Sequence, residues 1–355
     1  MNLYPPGPRV KRIPVWGLGL FILLLLAGAA WIWIYAATPS SGRGEVTVFI
    51  PKGSSVRRIG AILGRQGLVA DDLRFLILAR VTGKAGHLQA GEYRLPRGRT
   101  PLQILRLLAQ GEVIRHQVTI PEGLNISQIA TLLAKDHWID RQRFLALTRD
   151  PGFIKTLGLH QASLEGYLFP DTYSLIRGQV DERSIISLMV HQFYHVWQEI
   201  TKNGKPRLSR HQVVTLASIV EKETGNARER PLIARVFLNR LQRNMRLQSD
   251  PTVIYGIPDF NGDLTRADLE RKTPYNTYVI FGLPPGPICN PGRAALEAVL
   301  KPADSPDLYF VSRNDGTHYF STTLKEHNRA VLKYQKNFFR SEQRHKKQDR
   351  PALPG

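Results

Sequence analysis

The apolar and polar positions divide this chain sharply. VWGLGLFILLLLAGAAWIWIYAA, residues 15–37, carries no charge at all. At about 1.5 Å per residue, a helix of that length crosses a hydrocarbon layer of roughly 30 Å. Trp16 stands near one end and Trp31, Trp33 and Tyr35 near the other, where interfacial aromatic residues sit. A cleaved signal peptide is the rival reading. Its apolar stretch would be shorter and would end in a small-residue cleavage site, so the pattern favours an uncleaved transmembrane anchor.

Beyond a polar linker at 38–44, the periodicity changes. VFIPKGSSVRRIGAIL at 48–63 is matched by VTIPEGLNISQIATLL at 118–133. Each copy predicts a strand, a Pro-x-Gly turn and an amphipathic helix. Ile59 and Leu63 fall on the apolar side of the first helix, and Ile129 and Leu133 on that of the second. Another apolar helix follows each copy. Tyr93 and Leu95 read as a short strand, and Thr100 caps a helix that opens on Pro101. These patterns predict an α+β protein: a single transmembrane helix, a small α+β module over 45–115 and a mixed α+β domain over 116–337.

The helix signal over 209–225 is the strongest in the second domain. Ser209 with Gln212 three residues later forms a capping-box pattern. Val213, Val214, Leu216, Ala217, Ile219 and Val220 leave little polar circumference, which predicts a buried helix. Gly225 and Asn226 supply the stop. The run closes on Glu221 and Glu223, which are two apart and therefore point to different sides. The negative end of the helix dipole and an apolar wall both favour the protonated carboxyl, as a general acid requires. A plain structural or surface role for either acid stands beside that reading.

Charge adds direction. Lys and Arg number 49 against 29 Asp and Glu, for a formal net charge of +20 over 355 residues. Such a balance favours an anionic polymer or surface. Arg9, Lys11 and Arg12 precede the apolar run, and only Arg43 and Glu45 follow closely. The positive-inside rule keeps the tail 1–14 in the cytoplasm and sends everything past the linker across the membrane. Nucleic acid is then a poor partner, and no zinc finger, aromatic RNA-binding signature or phosphate loop supports one. The basic stretch 338–355 reads as a disordered tail.

Cys289 is the one cysteine, so no disulfide forms within the chain. Its setting, PPGPICNPG, reads as a stiff turn with a buried or incidental thiol. HEXXH, a GxSxG elbow and metal-ligand histidine spacing are all absent, so neither a metal nor another cofactor is expected. What remains is a set of hydrogen-bonding groups between apolar residues. Glu165 lies in EGYLFPDTY; Asn239 and Arg240 close a helix; Gln248, Asp250 and Thr252 lie in MRLQSDPTVIYG; Tyr275, Asn276 and Tyr278 lie in PYNTYVIFGLPPGPICNPG. Amides, hydroxyls and rings of this kind suit a sugar, although each alone is also an ordinary turn residue.

EGYLFPDTY, LASIVEKETGNARERPLIARVFLNRL, MRLQSDPTVIYG, TPYNTYVIFGLPPGPICNPG and LYFVSRNDGTHYFSTTLKEHN resemble the YceG-like (MltG) family of membrane-bound endolytic murein transglycosylases. The matching stretches span most of residues 45–335. The resemblance implies a LysM-like module at 45–115, a catalytic domain at 116–337, an inner-membrane anchor and a periplasmic active site. It implies peptidoglycan glycan strands as substrate and peptidoglycan synthases as partners. The family's essential glutamate is the first acid of its EKET stretch, here Glu221. Glu223 would support it, while Glu165, Asn239, Arg240, Gln248, Asp250, Thr252, Tyr275, Asn276 and Tyr278 would hold the glycan. The expected reaction opens the MurNAc–GlcNAc β-1,4 bond with formation of a 1,6-anhydro end. A hydrolytic muramidase and a non-catalytic, membrane-anchored glycan-binding scaffold are the alternatives.

Overall fold

The computed structural model describes residues 15–70, 72–202, 204 and 206–336. The basic residues of the first 14 positions and the tail at 338–355 lie outside the described residues. The chain is mixed α+β and separates into two compact units. The first comprises the described residues up to His116 together with Ser174–Val180. The second comprises Gln117–Tyr173 and the described residues from Asp181 onward.

The first unit opens on helix α1 (Val15–Ala37), long and apolar enough to cross a membrane. Its large side chains from Trp16 to Ile34 are mostly exposed, but Tyr35 and Ala36 are buried with the unit's core. Arg74 stacks its guanidinium over the rings of Trp31 and Tyr35, at 5.6 and 4.7 Å. Strand β1 (Glu45–Ile50), α2 (Val56–Arg65), α3 (Leu73–Val81), β2 (Gly91–Pro96) and α4 (Pro101–Gln110) follow. β1 and β2 pair antiparallel with Val48 opposite Tyr93. Alternation places Val48, Ile50, Tyr93 and Leu95 inside, against Ile59 and Leu63 of α2 and Ile104 and Leu108 of α4. Thr100 caps α4 with Pro101 in the first turn, as the sequence predicts, and the structure adds Gln103, which completes a reciprocal capping box.

The second unit holds β3 (His116–Thr119) from Gln117 onward, α5 (Ile126–Lys135), α6 (Arg141–Leu147), α7 (Pro151–Thr156), β4 (Thr172–Leu175) up to Tyr173, α8 (Glu182–Thr201) and α9 (Arg210–Glu223). Then come α10 (Arg230–Gln242), α11 (Asp250–Tyr255), α12 (Arg266–Glu270), α13 (Arg293–Leu300), β5 (Tyr309–Ser312), β6 (His318–Ser321), α14 (Leu324–Val331) and a π-helical turn at Leu332–Lys336. β3 pairs with β4 and β5 with β6, each as a two-stranded sheet. Both copies of the sequence repeat adopt strand, turn and helix: β1 to α2, and β3 to α5.

Helix α9 is the centre of this unit. Every residue from Val213 to Val220 is buried, as its nearly unbroken apolar circumference requires. Burying each large aliphatic side chain contributes about 1.5–3 kcal/mol relative to exposure. α10 and α13 pack against α9 through Ile233, Val236 and Phe237 and through Ala295, Leu296 and Val299. The helix starts at the Ser209–Gln212 capping box. Its C-cap, Thr224, has extended backbone, so the chain leaves the helix directly after the two acids.

Candidate active site

Glu221 lies in the last turn of α9 with its side chain only 5 % exposed. Oε2 accepts from the backbone N–H of Gly292, at 2.9 Å, just before α13. Oε1 accepts from Nη2 of Arg230, also at 2.9 Å, at the start of α10. Burial pushes the carboxyl above its usual range. The Gly292 amide and the Arg230 charge pull it back, and the charge of Glu122 adds to the rise. The net direction is upward, which favours the proton-carrying form.

The turn between β3 and α5 covers this acid. A Cβ built on Gly123 would touch the Cγ of Glu221 at 3.6 Å, so the turn packs against the glutamate stem. Lys222 reaches over to the Gly123 carbonyl at 3.4 Å. Glu122, in the same turn, places Oε2 3.6 Å from Arg230 Nη2, with its side chain 45 % exposed. Its carboxyl lies so close to Gly292 that a Cβ there would overlap it. A side chain at position 292 would displace the Glu122 carboxyl.

Asn290 ties the two loops together. Its backbone N–H donates to the Leu124 carbonyl and its carbonyl accepts from Gly123 N. Nδ2 donates to Leu124 O at 2.9 Å and to Glu165 Oε1 at 3.1 Å, and Oδ1 accepts from Leu168 N at 2.8 Å. Glu165 is itself buried and accepts from Ile126 N and the Tyr255 hydroxyl. Burial raises its carboxyl from 4.5 to about 7, against the pull of these donors. Glu229, the residue before Arg230, is buried and accepts from His318 at both the backbone N–H, 2.9 Å, and Nδ1, 2.7 Å. That pair fixes the start of the helix carrying Arg230.

Glu223 points elsewhere. The Ser249 hydroxyl donates to its Oε1, and burial raises the carboxyl to about 7. Ser249 N donates to Thr277 Oγ1, which also meets Thr252 Oγ1 at 2.8 Å. Arg240 is buried nearby and donates Nε to Leu308 O and Nη1 to Leu247 O, each at 2.7 Å. Asn239 donates to the carbonyls of Ser305 and Asp307. Asn276 is fully buried, with Nδ2 on the Leu269 and Arg271 carbonyls and Oδ1 accepting from Tyr278 N. Thr252, Asn239, Arg240 and Asn276 thus brace loops through their polar groups.

Gln248 and Asp250 are exposed, and the Tyr278 hydroxyl donates to Asp250 Oδ1 at 2.6 Å. Gln248 has φ at +50°, in the left-handed region. The Tyr275 ring, partly exposed, packs at 4.8 Å from that of Tyr255, whose hydroxyl reaches Glu165. Cys289 is buried and bonded to the Ser218 carbonyl, with its thiol pushed well up by burial.

The profile of the YceG-like family matches residues 48–333. This chain belongs to the YceG-like family. An endolytic murein transglycosylase of Bacillus subtilis (strain 168) is 33 % identical over 331 residues, 87 % of this chain and 91 % of its own length. A protein of the same name in Streptococcus pneumoniae serotype 2 is 30 % identical over 352 residues, 89 % of this chain. The chain spans 64 % of that pneumococcal relative. The crystal structure of a YceG-like protein from Listeria monocytogenes aligns with a TM-score of 0.55 and 34 % identity, covering 81 % of this chain and all of that one.

Within this YceG-like chain, sequence reasoning missed Glu122, Arg230, Gly292 and Asn290, the groups that surround or support Glu221. One signal was present. The two repeat copies differ at the middle of the turn: Lys52 in IPKG stands where Glu122 stands in IPEG. The charge reverses between a proline and a glycine that both copies share.

Proposed function

We propose that this protein is an endolytic peptidoglycan lytic transglycosylase that cuts the MurNAc–GlcNAc β-1,4 bond of glycan strands. The observation that carries the proposal is the Glu221 carboxyl: buried at a helix end, biased toward its protonated form, and held by one amide and one guanidinium. In the first step Glu221 donates its proton to the glycosidic oxygen as the C1–O bond breaks. Glu221 is then an anion, and the Gly292 N–H and Arg230 stabilise it. In the second step the muramyl O6 bonds to C1 and its proton passes to Glu221. The enzyme is restored, and the product is a 1,6-anhydro end. One carboxyl serves both steps, unlike the pair used by most glycoside hydrolases.

On this reading Glu223 supports the Ser249 loop, and Gln248, Asp250, Tyr275 and Tyr278 face the glycan. Thr252, Asn239, Arg240 and Asn276 shape the loops behind them. Glu165 acts through Asn290 on the turn that carries Glu122. α1 is a single-pass inner-membrane anchor with its N-terminus in the cytoplasm and both units in the periplasm. The order β1, α2, α3, β2, with its strands paired antiparallel, supports a LysM-like reading of the first unit. A net positive surface draws in the carboxylates of the peptidoglycan stems, and synthases that extend the same strands are the expected protein partners.

Product mass tests the proposal. Purified protein incubated with uncrosslinked glycan strands is expected to release ends lighter by one water than the hydrolytic product. Ordinary reducing ends would replace the intramolecular attack with hydrolysis, and intact strands would leave a binding or scaffold role.

A further inference from the structure

We infer that Glu122 is a positioning residue for Glu221: it shares the Arg230 guanidinium with Glu221 and keeps that cation from committing wholly to the catalytic acid. The inference rests on the acid–base role proposed for Glu221.

The geometry has three parts. First, the same Arg230 atom, Nη2, stands 2.9 Å from Glu221 Oε1 and 3.6 Å from Glu122 Oε2. Second, the buried Nε of Arg230 has no hydrogen-bond partner among the described residues. The guanidinium is therefore placed by its two carboxylates, not by a bond at Nε. Third, Glu122 sits against Gly292, whose N–H is the other group bonded to Glu221. The IPEG turn thus touches both supports of the acid.

The reaction makes opposite demands on Glu221. It must hold a proton at the start and carry a negative charge midway. An arginine given over to Glu221 alone would favour the anion throughout. A fixed second anion offsets that pull before the reaction, and Arg230 remains within reach when the charge appears. Among the described residues, the Gly292 N–H before α13 bonds Glu221, the buried Cys289 thiol lies near it, the Lys222 ammonium is turned to the Gly123 carbonyl, and Glu122 adds a half-exposed carboxylate on the Arg230 side.

The test uses the full chain in nanodiscs and compares Glu122→Gln, Glu122→Asp and Gly292→Ala with the unmodified protein. The rate of anhydro-end formation is followed against pH. With Glu122→Gln, the alkaline limb is expected to move to lower pH by about half a unit to one unit, a loss of roughly three- to tenfold on that limb, with the low-pH plateau retained. Glu122→Asp restores the limb. Gly292→Ala keeps every charge but displaces the Glu122 carboxyl, and moves the limb the same way. Superimposable profiles, a shift to higher pH, or loss of the plateau in folded Glu122→Gln would each overturn the inference. A carbon-13 titration of the Glu221 carboxyl needs no substrate and separates the two claims. A lower midpoint in Glu122→Gln upholds the coupling even if the unmodified protein forms no anhydro ends, and an unchanged midpoint rejects the coupling even if it does.

Discussion

Glu221 and Glu223 leave the last turn of one helix toward different loops: Glu221 bonds the Gly292 amide, and Glu223 accepts from the Ser249 hydroxyl. Two residues are about 200° apart around a helix, so the pair cannot face one ligand. The loop beneath Glu223 carries Gln248 and Asp250, and the loop beneath Glu221 carries Asn290 and Gly292. One helix end therefore supports two walls.

Glu223→Gln is expected to keep anhydro-end formation within about tenfold of the unmodified rate, because general acid–base assistance worth about 10²–10⁴-fold resides in the other acid. Product quantification by mass spectrometry checks this. A loss as deep as that of Glu221→Gln would move the acid–base role two residues along.

Glu165 makes stability depend on pH. Its folded carboxyl is raised from 4.5 to about 7, so the folded state holds the proton more tightly than the unfolded one. The stabilising contribution is complete below 4.5 and is lost as pH rises toward 7. Glu165→Gln stays neutral and keeps an acceptor for Ile126 N. Its thermal midpoint should fall less than that of the unmodified protein between pH 4.5 and 7. Parallel midpoint curves for the two proteins would contradict the assignment.

Asn290→Ala removes the amide donor shared by the Leu124 carbonyl and Glu165 Oε1, and the acceptor of the Leu168 N–H, from a fully buried position between the loops. Leu124 O keeps the Asn290 N–H and Glu165 keeps the Ile126 N–H, so only the Leu168 N–H is left unsatisfied, at a cost of about 1–3 kcal/mol. The urea midpoint should drop accordingly, and cleavage should fall because the turn after β3 loses its side-chain tie from Asn290 to the Leu124 carbonyl. An unchanged midpoint would show that the loops hold without it.

Local patterns made much of this fold legible. The capping boxes at Ser209 and Thr100, the apolar circumference of α9 and the paired turns after β1 and β3 are each written within a few residues. The mixed α+β class follows from them. The pairing of β1 with β2 and of β3 with β4 is not, because each joins segments separated by several elements. The same division holds at the site. Glu221 stands out through its apolar helix, but Gly292 and Glu122 reach it only through tertiary packing from distant positions. Asn239, Arg240 and Asn276 look like sugar-binding groups in sequence, since an amide or guanidinium in a turn reads alike whether it faces solvent or a carbonyl. The fold turns their donors to the backbone carbonyls of Ser305, Leu308 and Arg271, among others.

The most direct measurement is glycan cleavage by Glu221→Gln. The amide keeps the size of the side chain, and its oxygen can still accept from Gly292, but it can neither give a proton to the glycosidic oxygen nor take one from O6. Folded protein, verified by circular dichroism, is incubated with uncrosslinked strands, and 1,6-anhydro ends are counted by mass spectrometry. The rate is expected to fall by at least about 10²–10⁴-fold, since one residue acts in both steps. Anhydro ends formed at the unmodified rate would contradict Glu221 as the acid and base of this site.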